Sequence, residues 1–261
     1  MFDLGFIGCG NMGGALVKAA ARGGARIALY DLDEEKVNAL CAQTGALAVS
    51  LDFLMQESCY VVLGVKPYQL MDLCAQLKPM MRPGQVFVSM AAGVEISRIE
   101  EALPGAAVIR IMPNTPCAVG AGLITYCVGK HCPHVAAEEF LRLMEGAGEF
   151  DALSEHLIDA ASAVAGCGPA FAAMFMEALA DGGVRCGLPR AKAMKYAQQM
   201  LLGTAKLALE SGEHPGQMKD NVCSPGGSTI AGVAALEEKG FRGAVMQAVC
   251  AADARNKELG K

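Results

Sequence analysis

Two clusters in this 261-residue chain have the residue types and spacing to do chemistry. Near the end, His214 to Ile230 reads HPGQMKDNVCSPGGSTI. Its centre, Ser224 to Thr229, sets a proline and two glycines between hydroxyl side chains, directly before an Ala-rich helical pattern. A turn of that composition aims several backbone N–H groups at one point, and the helix that follows adds the positive end of its dipole. Such a turn holds a small anion, a carboxylate for example. Ser-Pro-Gly-Gly is equally a common turn in which Ser228 or Thr229 merely caps a helix, and the local residues leave both readings open.

The second cluster is Gly8-Cys9-Gly10-Asn11-Met12-Gly13, a G-x-G-x-x-G run. An apolar strand pattern (Leu4, Phe6, Ile7) leads in and a helical one (Ala15, Leu16, Val17) leads out. In that setting Gly8 allows the turn, Gly10 lets backbone approach a pyrophosphate, and Gly13 lets helix pack on strand. Asp31 ends the next strand pattern 18 residues after Gly13, near the spacing of about 20 at which an acid meets the adenosine ribose hydroxyls. A carboxylate there repels a 2′-phosphate and favours NAD. The residues that follow are Leu32, Asp33, Glu34 and Glu35, with Lys36 the only nearby cation.

The elements that must carry these clusters follow from periodicity. Strand patterns at Leu4 to Gly8, Arg26 to Tyr30, Ala46 to Val49, Tyr60 to Val65, Val86 to Met90 and Val108 to Met112 alternate with helical ones such as Met12 to Ala21, Asp33 to Gln43 and Tyr68 to Leu77. That is the rhythm of a parallel sheet covered on both faces. Gly122 to Val128 and Glu149 to Leu153 read as added strands around a helix near Ala136 to Glu145. Beyond Asp151 strand signals stop. Leu157 to Val184, Arg190 to Ser211, Thr229 to Glu238 and Phe241 to Leu259 read as helices, the first expected to break or kink at Gly166-Cys167-Gly168-Pro169. The predicted fold class is therefore α/β: a Rossmann-type dinucleotide-binding domain over 1–151, then an all-helical domain over 152–261. In an open α/β sheet, ligands bind at the strand ends. Those ends carry Val65-Lys66-Pro67, Ala91-Ala92-Gly93 and Pro113-Asn114-Thr115-Pro116. Ala92-Gly93 leaves room for a flat ring, and the Asn114 amide can donate to a ribose or nicotinamide oxygen.

Composition narrows the function classes. The net charge is -5 and the basic residues are scattered, which argues against nucleic acid as a partner. The hydrophobic fraction is 53%, yet charges or glycines interrupt every apolar stretch, so no membrane span is expected. The surplus of apolar surface suits a subunit interface. The N-terminus enters a strand pattern without the features of a signal peptide, which points to a cytoplasmic protein. Eleven cysteines, an odd number without a Cys-x-x-Cys, read as reduced thiols. Cys59, Cys74, Cys127, Cys167 and Cys250 lie in apolar runs and are expected in the core. Cys132 with His131 or His134 lacks a second ligand cluster, so no metal site is expected.

Longer motifs now come together. VKP (Val65 to Pro67), MAAGV (Met90 to Val94), MPNTP (Met112 to Pro116), GCGPAF (Gly166 to Phe171), ALADGGVRCGLPR (Ala178 to Arg190) and HPGQMKDNVCSPGGSTI resemble those of pyrroline-5-carboxylate reductase, in order from Phe6 to about Leu259. The resemblance implies reduction of L-1-pyrroline-5-carboxylate to L-proline with NADP(H) or NAD(H), the last step of proline synthesis. It also implies a homodimer interlocked through the helical domain, higher assembly in some members, and a substrate pocket shared across the dimer. Substrate contacts map onto Asn221, Ser224, Gly226, Gly227, Ser228 and Thr229. Cofactor contacts map onto Gly8, Gly10, Asn11, Met12, Gly13, Val65, Lys66, Pro67, Ala91, Ala92 and Asn114. Tyr30-Asp31-Leu32-Asp33 departs from the polar stretch with Arg or Asn that many members carry, and Phe171 stands where a Tyr is often found.

A cyclic imine needs position more than covalent help, and no His, Asp or Glu within Ser224 to Thr229 can serve as a strong acid. Thr229 is thus the expected catalytic residue, orienting the ring nitrogen while solvent supplies the proton. Two other readings remain. A hydroxyacid or imine reductase of another kind would call for a catalytic Lys, and Lys192 and Lys195 lie outside the required Gly-x-x-x-Lys context. A non-catalytic dinucleotide-binding module would keep Gly8 to Gly13 but have no use for the Ser224 turn.

Overall fold

The computed structural model describes residues 1–259. The first strands and helices are β1 (Phe2–Ile7), α1 (Asn11–Arg22), β2 (Ile27–Tyr30), α2 (Glu34–Thr44), β3 (Leu47–Ala48), α3 (Leu51–Glu57), β4 (Ser58–Leu63), α4 (Leu70–Leu77), β5 (Val86–Ser89), α5 (Ile96–Ala102) and β6 (Ala107–Met112). They are followed by β7 (Gly122–Val128), α6 (His134–Leu143) and β8 (Gly148–Ala152). One eight-stranded sheet results, in the order β3-β2-β1-β4-β5-β6-β7-β8. The strands from β3 to β6 run parallel, β7 is antiparallel to β6, and β8 is parallel to β7.

Period-two alternation explains why both faces of this sheet are dry. Leu4, Phe6, Tyr60, Val62, Val88 and Ile109 point to one face, where Leu16 and Val17 of α1, Val37 and Leu40 of α2 and Phe140 of α6 cover them. Ile7, Val61, Leu63, Phe87 and Val108 point to the other, under Leu54 of α3, Leu70 and Leu77 of α4 and Ile99 of α5. The expected strands are all present, although β3 shrinks to two residues and β8 begins one residue early, at Gly148. Helices α3 and α5, each seven residues long, give too short a periodic signal to be read from the sequence.

The remaining helices are α7 (Ile158–Ala161), α8 (Gly168–Arg185), α9 (Arg190–Ser211), α10 (Pro215–Asn221), α11 (Ser228–Glu238) and α12 (Phe241–Leu259). Two compact units emerge among the described residues: 1–167 with 251–259, and 168–250. The expected division at 151 and 152 falls at the end of β8. The helical residues that follow are held to the first unit by ion pairs. Arg110 of β6, 1% exposed, donates to Asp159 Oδ1 at 2.8 Å and to Glu155 Oε1 at 3.3 Å, and Glu155 Oε1 also accepts the Ile96 N–H at 2.7 Å. Asn256 of α12 adds a bond from Nδ2 to the Asp159 carbonyl at 3.1 Å. A buried guanidinium left without carboxylates would be costly, which pins this segment against β6.

The expected break at Gly166 to Pro169 takes a different form. Ser162–Gly166 is a π-helical turn, in which the Cys167 N–H reaches back to the Ser162 carbonyl at 2.9 Å, and α8 starts directly afterwards. Pro169 near the start of α8 offers no N–H to the carbonyl of Ala165, four residues back. The Asn114 side chain takes that place: its Nδ2 donates to the Ala165 carbonyl at 3.1 Å.

Within the second unit, α8 and α9 pack through small residues. A Cβ on Gly183 would meet the Ala193 Cβ at 3.1 Å, and the connection turns at Gly187 (φ +95), where the Leu188 N–H donates to the Gly183 carbonyl at 3.0 Å. Phe175 of α8 and Phe241 of α12 stack with ring centroids 5.7 Å apart. Many large apolar side chains of this unit nevertheless face outward, among them Met174 (70% exposed), Leu202, Leu209 (82% exposed) and Met246. The run from Glu155 to Arg185 is long and apolar enough, by length and composition, to cross a membrane. The cysteine expectation needs correcting as well: of the five placed in the core, Cys74 alone is buried, Cys59, Cys127 and Cys167 are half-buried and Cys250 is exposed, whereas Cys9 and Cys117 are buried. Apolar neighbours in sequence mark an apolar helix, and on α12 that helix turns Cys250 away from the unit's own core.

Candidate active site

The glycine loop sits at the point where the sheet reverses direction, between β1 and β4, with chain order running outward on either side. Open α/β sheets bind ligands in the crevice at such a switch point. Gly8 there has φ +102, a backbone state that side chains strain to adopt. The loop after β4 closes on it: the Gly64 N–H donates to the Ile7 carbonyl at 2.7 Å, and a Cβ on Gly64 would lie 2.7 Å from the Gly8 carbonyl oxygen. Gly64 was not among the residues singled out from sequence. Its only signal was a glycine at a strand end directly before Val65-Lys66-Pro67.

Gly8 makes the expected turn and Gly13 the expected close packing. A Cβ on Gly13 would collide with the Gly8 carbonyl, so only glycine lets α1 pack so close to β1. Gly10 has open space around its Cα and caps α1 with no side-chain hydrogen bond, while Asn11 beside it is exposed and Met12 half-buried. The first turn of α1 also lacks acidic residues. Neither a side-chain cap nor an acidic residue thus competes with an anion at the start of α1. Asp31 orders the same loop from β2: Oδ2 accepts the Cys9 N–H at 2.6 Å and Oδ1 accepts the Asp33 N–H at 2.9 Å. Burial, with the Asp31 charge added, pushes the Cys9 thiol up to about 12, so it stays protonated and unreactive.

Along the same sheet edge lie the ends of β4, β5 and β6. Val65 and Pro67 are half-buried and Lys66 is exposed, with the Lys66 N–H donating to Gln69 Oε1 at 3.2 Å. Ala91 is buried and Ala92 half-buried, and the turn completes at Gly93 with φ +73. Asn114 is buried, and its amide does more structural work than the sequence suggested. Oδ1 accepts the Leu123 N–H at 3.1 Å while Nδ2 donates to Ala165, so one amide hydrogen is left for a ligand. The loops expected to form a dinucleotide site thus share one edge of the sheet. The residues present fit such a group: an open helix start, small residues at the strand ends, and an ordered carboxylate on β2.

The other cluster is brought together within the second unit. His214 opens α10, its Nδ1 accepting the Gly216 N–H at 3.1 Å, and Pro215 takes the first helical position. At the far end of α10, Asn221 Nδ2 donates to Glu213 Oε1 at 2.8 Å and its Oδ1 accepts from Gln217 Nε2 at 2.8 Å. Lys219 pairs with Asp220, which raises the Lys219 pKa. The chain then turns at Gly226 (φ +69), and the Gly227 N–H closes the turn on the Ser224 carbonyl at 3.0 Å. A Cβ on Gly227 would strike the Ser224 hydroxyl.

The N-cap of α11 is Gly227, with no side-chain hydrogen bond, so the helix-capping reading of Ser228 or Thr229 does not hold. Ser228 and Thr229 occupy the first helical positions and do not cap the helix. Their N–H groups belong to the first turn, where a helix has no internal acceptor to offer. Ser224, Ser228 and Thr229 are all exposed. An open helix start with hydroxyls on either side is chemically an anion site with a hydrogen-bonding neighbour for whatever carries the anion.

Fold and glycine loop together define a nicotinamide-dinucleotide-binding α/β protein with a helical second unit. A family model described as pyrroline-5-carboxylate reductase dimerisation matches residues 155–259, and one described as NADP oxidoreductase, coenzyme F420-dependent, matches residues 3–93. Pyrroline-5-carboxylate reductase of Pisum sativum is 39% identical over 262 residues, covering 99% of this chain and 96% of the relative. That of Escherichia coli K12 is 38% identical over 264 residues, covering 99% and 98%. The crystal structure of Plasmodium falciparum pyrroline carboxylate reductase with NADP bound superposes with a TM-score of 0.91 at 30% identity, covering 100% of this chain and 98% of the other. The chain belongs to the pyrroline-5-carboxylate reductase family, oxidoreductases that reduce pyrroline-5-carboxylate to proline.

Proposed function

We propose that the chain performs this reduction by holding the substrate carboxylate on the uncapped start of α11 while the strand-end loops of the first unit hold NADH or NADPH. The observation that carries the reading is the start of α11: a glycine N-cap, a turn with φ +69 at Gly226, and no side chain closing off the N–H groups of Ser228 and Thr229. When bound, the reduced nicotinamide supplies the hydride. Pyrroline-5-carboxylate, a hydride and a proton give proline, with the hydride adding to the ring carbon of the C=N bond and the proton residing on nitrogen.

Each residue then has a task. Ser228 and Thr229 N–H, with the Ser224 hydroxyl, bind the carboxylate. The Thr229 hydroxyl orients the ring nitrogen, and water delivers the proton, since no carboxylic acid or imidazole lies between Ser224 and Thr229. Asn221 stiffens α10 through Glu213 and Gln217 and keeps one amide hydrogen for the substrate. Gly8, Gly10, Asn11, Met12 and Gly13 receive the pyrophosphate. Val65, Lys66, Pro67, Ala91 and Ala92 border the nicotinamide side, with Asn114 fixing the β6 loop.

The functional division lies near residues 151 and 152, where the sheet ends and the match to the dimerisation model soon begins. A homodimer joined through α8, α9, α11 and α12 would cover the outward Met174, Leu202, Leu209 and Met246, and the apolar run from 155 to 185 then faces a second subunit in place of a bilayer. The protein is cytoplasmic in this reading. Thr229→Val tests it: folding should be intact and turnover at least about ten-fold lower, the scale of a lost catalytic donor. Parent-like turnover would remove Thr229 from the mechanism.

A further inference from the structure

We infer that this chain selects NADH over NADPH, with Asp31 as the discriminating residue and Glu34 reinforcing it. The inference rests on the first unit binding a nicotinamide dinucleotide and adds which of the two it takes. At the end of β2 lies a cavity of about 430 Å³, bordered by Tyr30, Asp31, Glu34, Asn38, Val49 and Ser50 among others. Its volume falls within the range of about 300 to 1,000 Å³ usual for small-molecule sites. The lining carries two carboxylates and no cation.

Asp31 is fixed there. The Cys9 N–H holds one carboxylate oxygen and the Asp33 N–H the other, so both oxygens are ordered while each keeps a lone pair for a further donor. A ribose with free 2′ and 3′ hydroxyls offers two donors to such a pair of acceptors. A 2′-phosphate offers negative charge and acceptors only, so it meets repulsion without a compensating bond.

The nearest cation that follows in sequence is committed elsewhere. Lys36 pairs with Asp33 at 2.6 Å, and that bond raises the lysine pKa and lowers that of the aspartate. Glu34 and Glu35 in the first turn of α2 add further negative charge, and the Asp33 side chain accepts the Lys36 N–H, so the start of that helix is already capped.

The test measures binding as well as rate. Titrating the purified full chain with NADH and with NADPH, read by nicotinamide fluorescence, should give a Kd at least ten-fold lower for NADH, and kcat/KM with pyrroline-5-carboxylate should show the same ratio. Asp31→Ser should weaken NADH and narrow the ratio. Because Asp31 also anchors the glycine loop, Leu32→Arg serves as the second variant. Leu32 is 88% exposed and touches neither anchor, so a cation there should tighten NADPH at least about five-fold while leaving NADH near its parent value. Equal or tighter binding of NADPH by the parent chain would overturn the inference. Failure to bind or oxidise either nucleotide would instead remove the dinucleotide site on which it rests.

Discussion

Replacing Asn114 by alanine should destabilise the protein by about 2–4 kcal/mol, chiefly through two orphaned backbone groups. The wild-type amide satisfies the Leu123 N–H and the Ala165 carbonyl, each at 3.1 Å. A buried group losing its partner costs about 1–3 kcal/mol, and both groups here are only half-buried, which favours the lower part of that range for each. At about 2–4 °C per kcal/mol for a chain somewhat smaller than this, the midpoint of thermal unfolding should fall by roughly 4–16 °C. The reasoning has a sharper form, because Ala165 needs Asn114 only while residue 169 lacks an N–H. In a Pro169→Ala background the helix can supply that donor, so Asn114→Ala should cost about 1 kcal/mol less there than in the parent. Urea unfolding of the four proteins, at one fixed protomer concentration because assembly shifts apparent stability, gives this coupling directly. A cost under about 0.5 kcal/mol for Asn114→Ala, or strict additivity with Pro169→Ala, would refute the account of the π-helical turn.

Two further outcomes follow from the packing. Gly64→Ala puts a Cβ 2.7 Å from the Gly8 carbonyl oxygen. Relief needs a shift of backbone, so stability should fall by about 1–3 kcal/mol and dinucleotide Kd should rise, as fluorescence titration would show. Burial raises the buried thiols Cys9 and Cys74 to about 12 and about 11 from 9.0. The folded state therefore holds their protons more tightly: stability is complete below pH 9 and declines as pH climbs toward 11 and 12, by up to about 1.4 kcal/mol per pH unit per thiol. Chemical unfolding between pH 8 and 10.5 should show that decline, and Cys74→Ala should make it shallower. An unchanged slope would contradict the burial of the thiol.

Much of the fold was legible because its signals are local and periodic. The strand patterns around Leu4, Tyr60, Val86 and Val108 are buried on both faces, and the glycine loop after β1 could be assigned its geometry from spacing alone. What escaped depends on partners distant in sequence. Arg110 lies inside an apolar strand, and that charge was the available sign that Glu155 and Asp159 would join it. The tie from Asn114 to Ala165 spans 51 residues and exists because Pro169 withholds an N–H, a link visible only once the helix register is known. Cys250 looked buried because its neighbours are apolar, but α12 directs it outward. At Ser224 to Thr229 the sequence supported both a helix cap and an anion site. The backbone removes the first by placing Gly227 at the cap and leaving Ser228 and Thr229 within the first turn.

The central claim is that the start of α11 holds a carboxylate and so positions a cyclic imine for reduction. It is tested most directly by following nicotinamide oxidation with pyrroline-5-carboxylate and, in parallel, with 1-pyrroline, which has the same C=N bond and no carboxylate. The account predicts rapid reduction of the first and a kcat/KM at least about 100-fold lower for the second, the scale of losing a charge-assisted anchor. Comparable kcat/KM for the two imines, or no reduction of pyrroline-5-carboxylate at all, would contradict it.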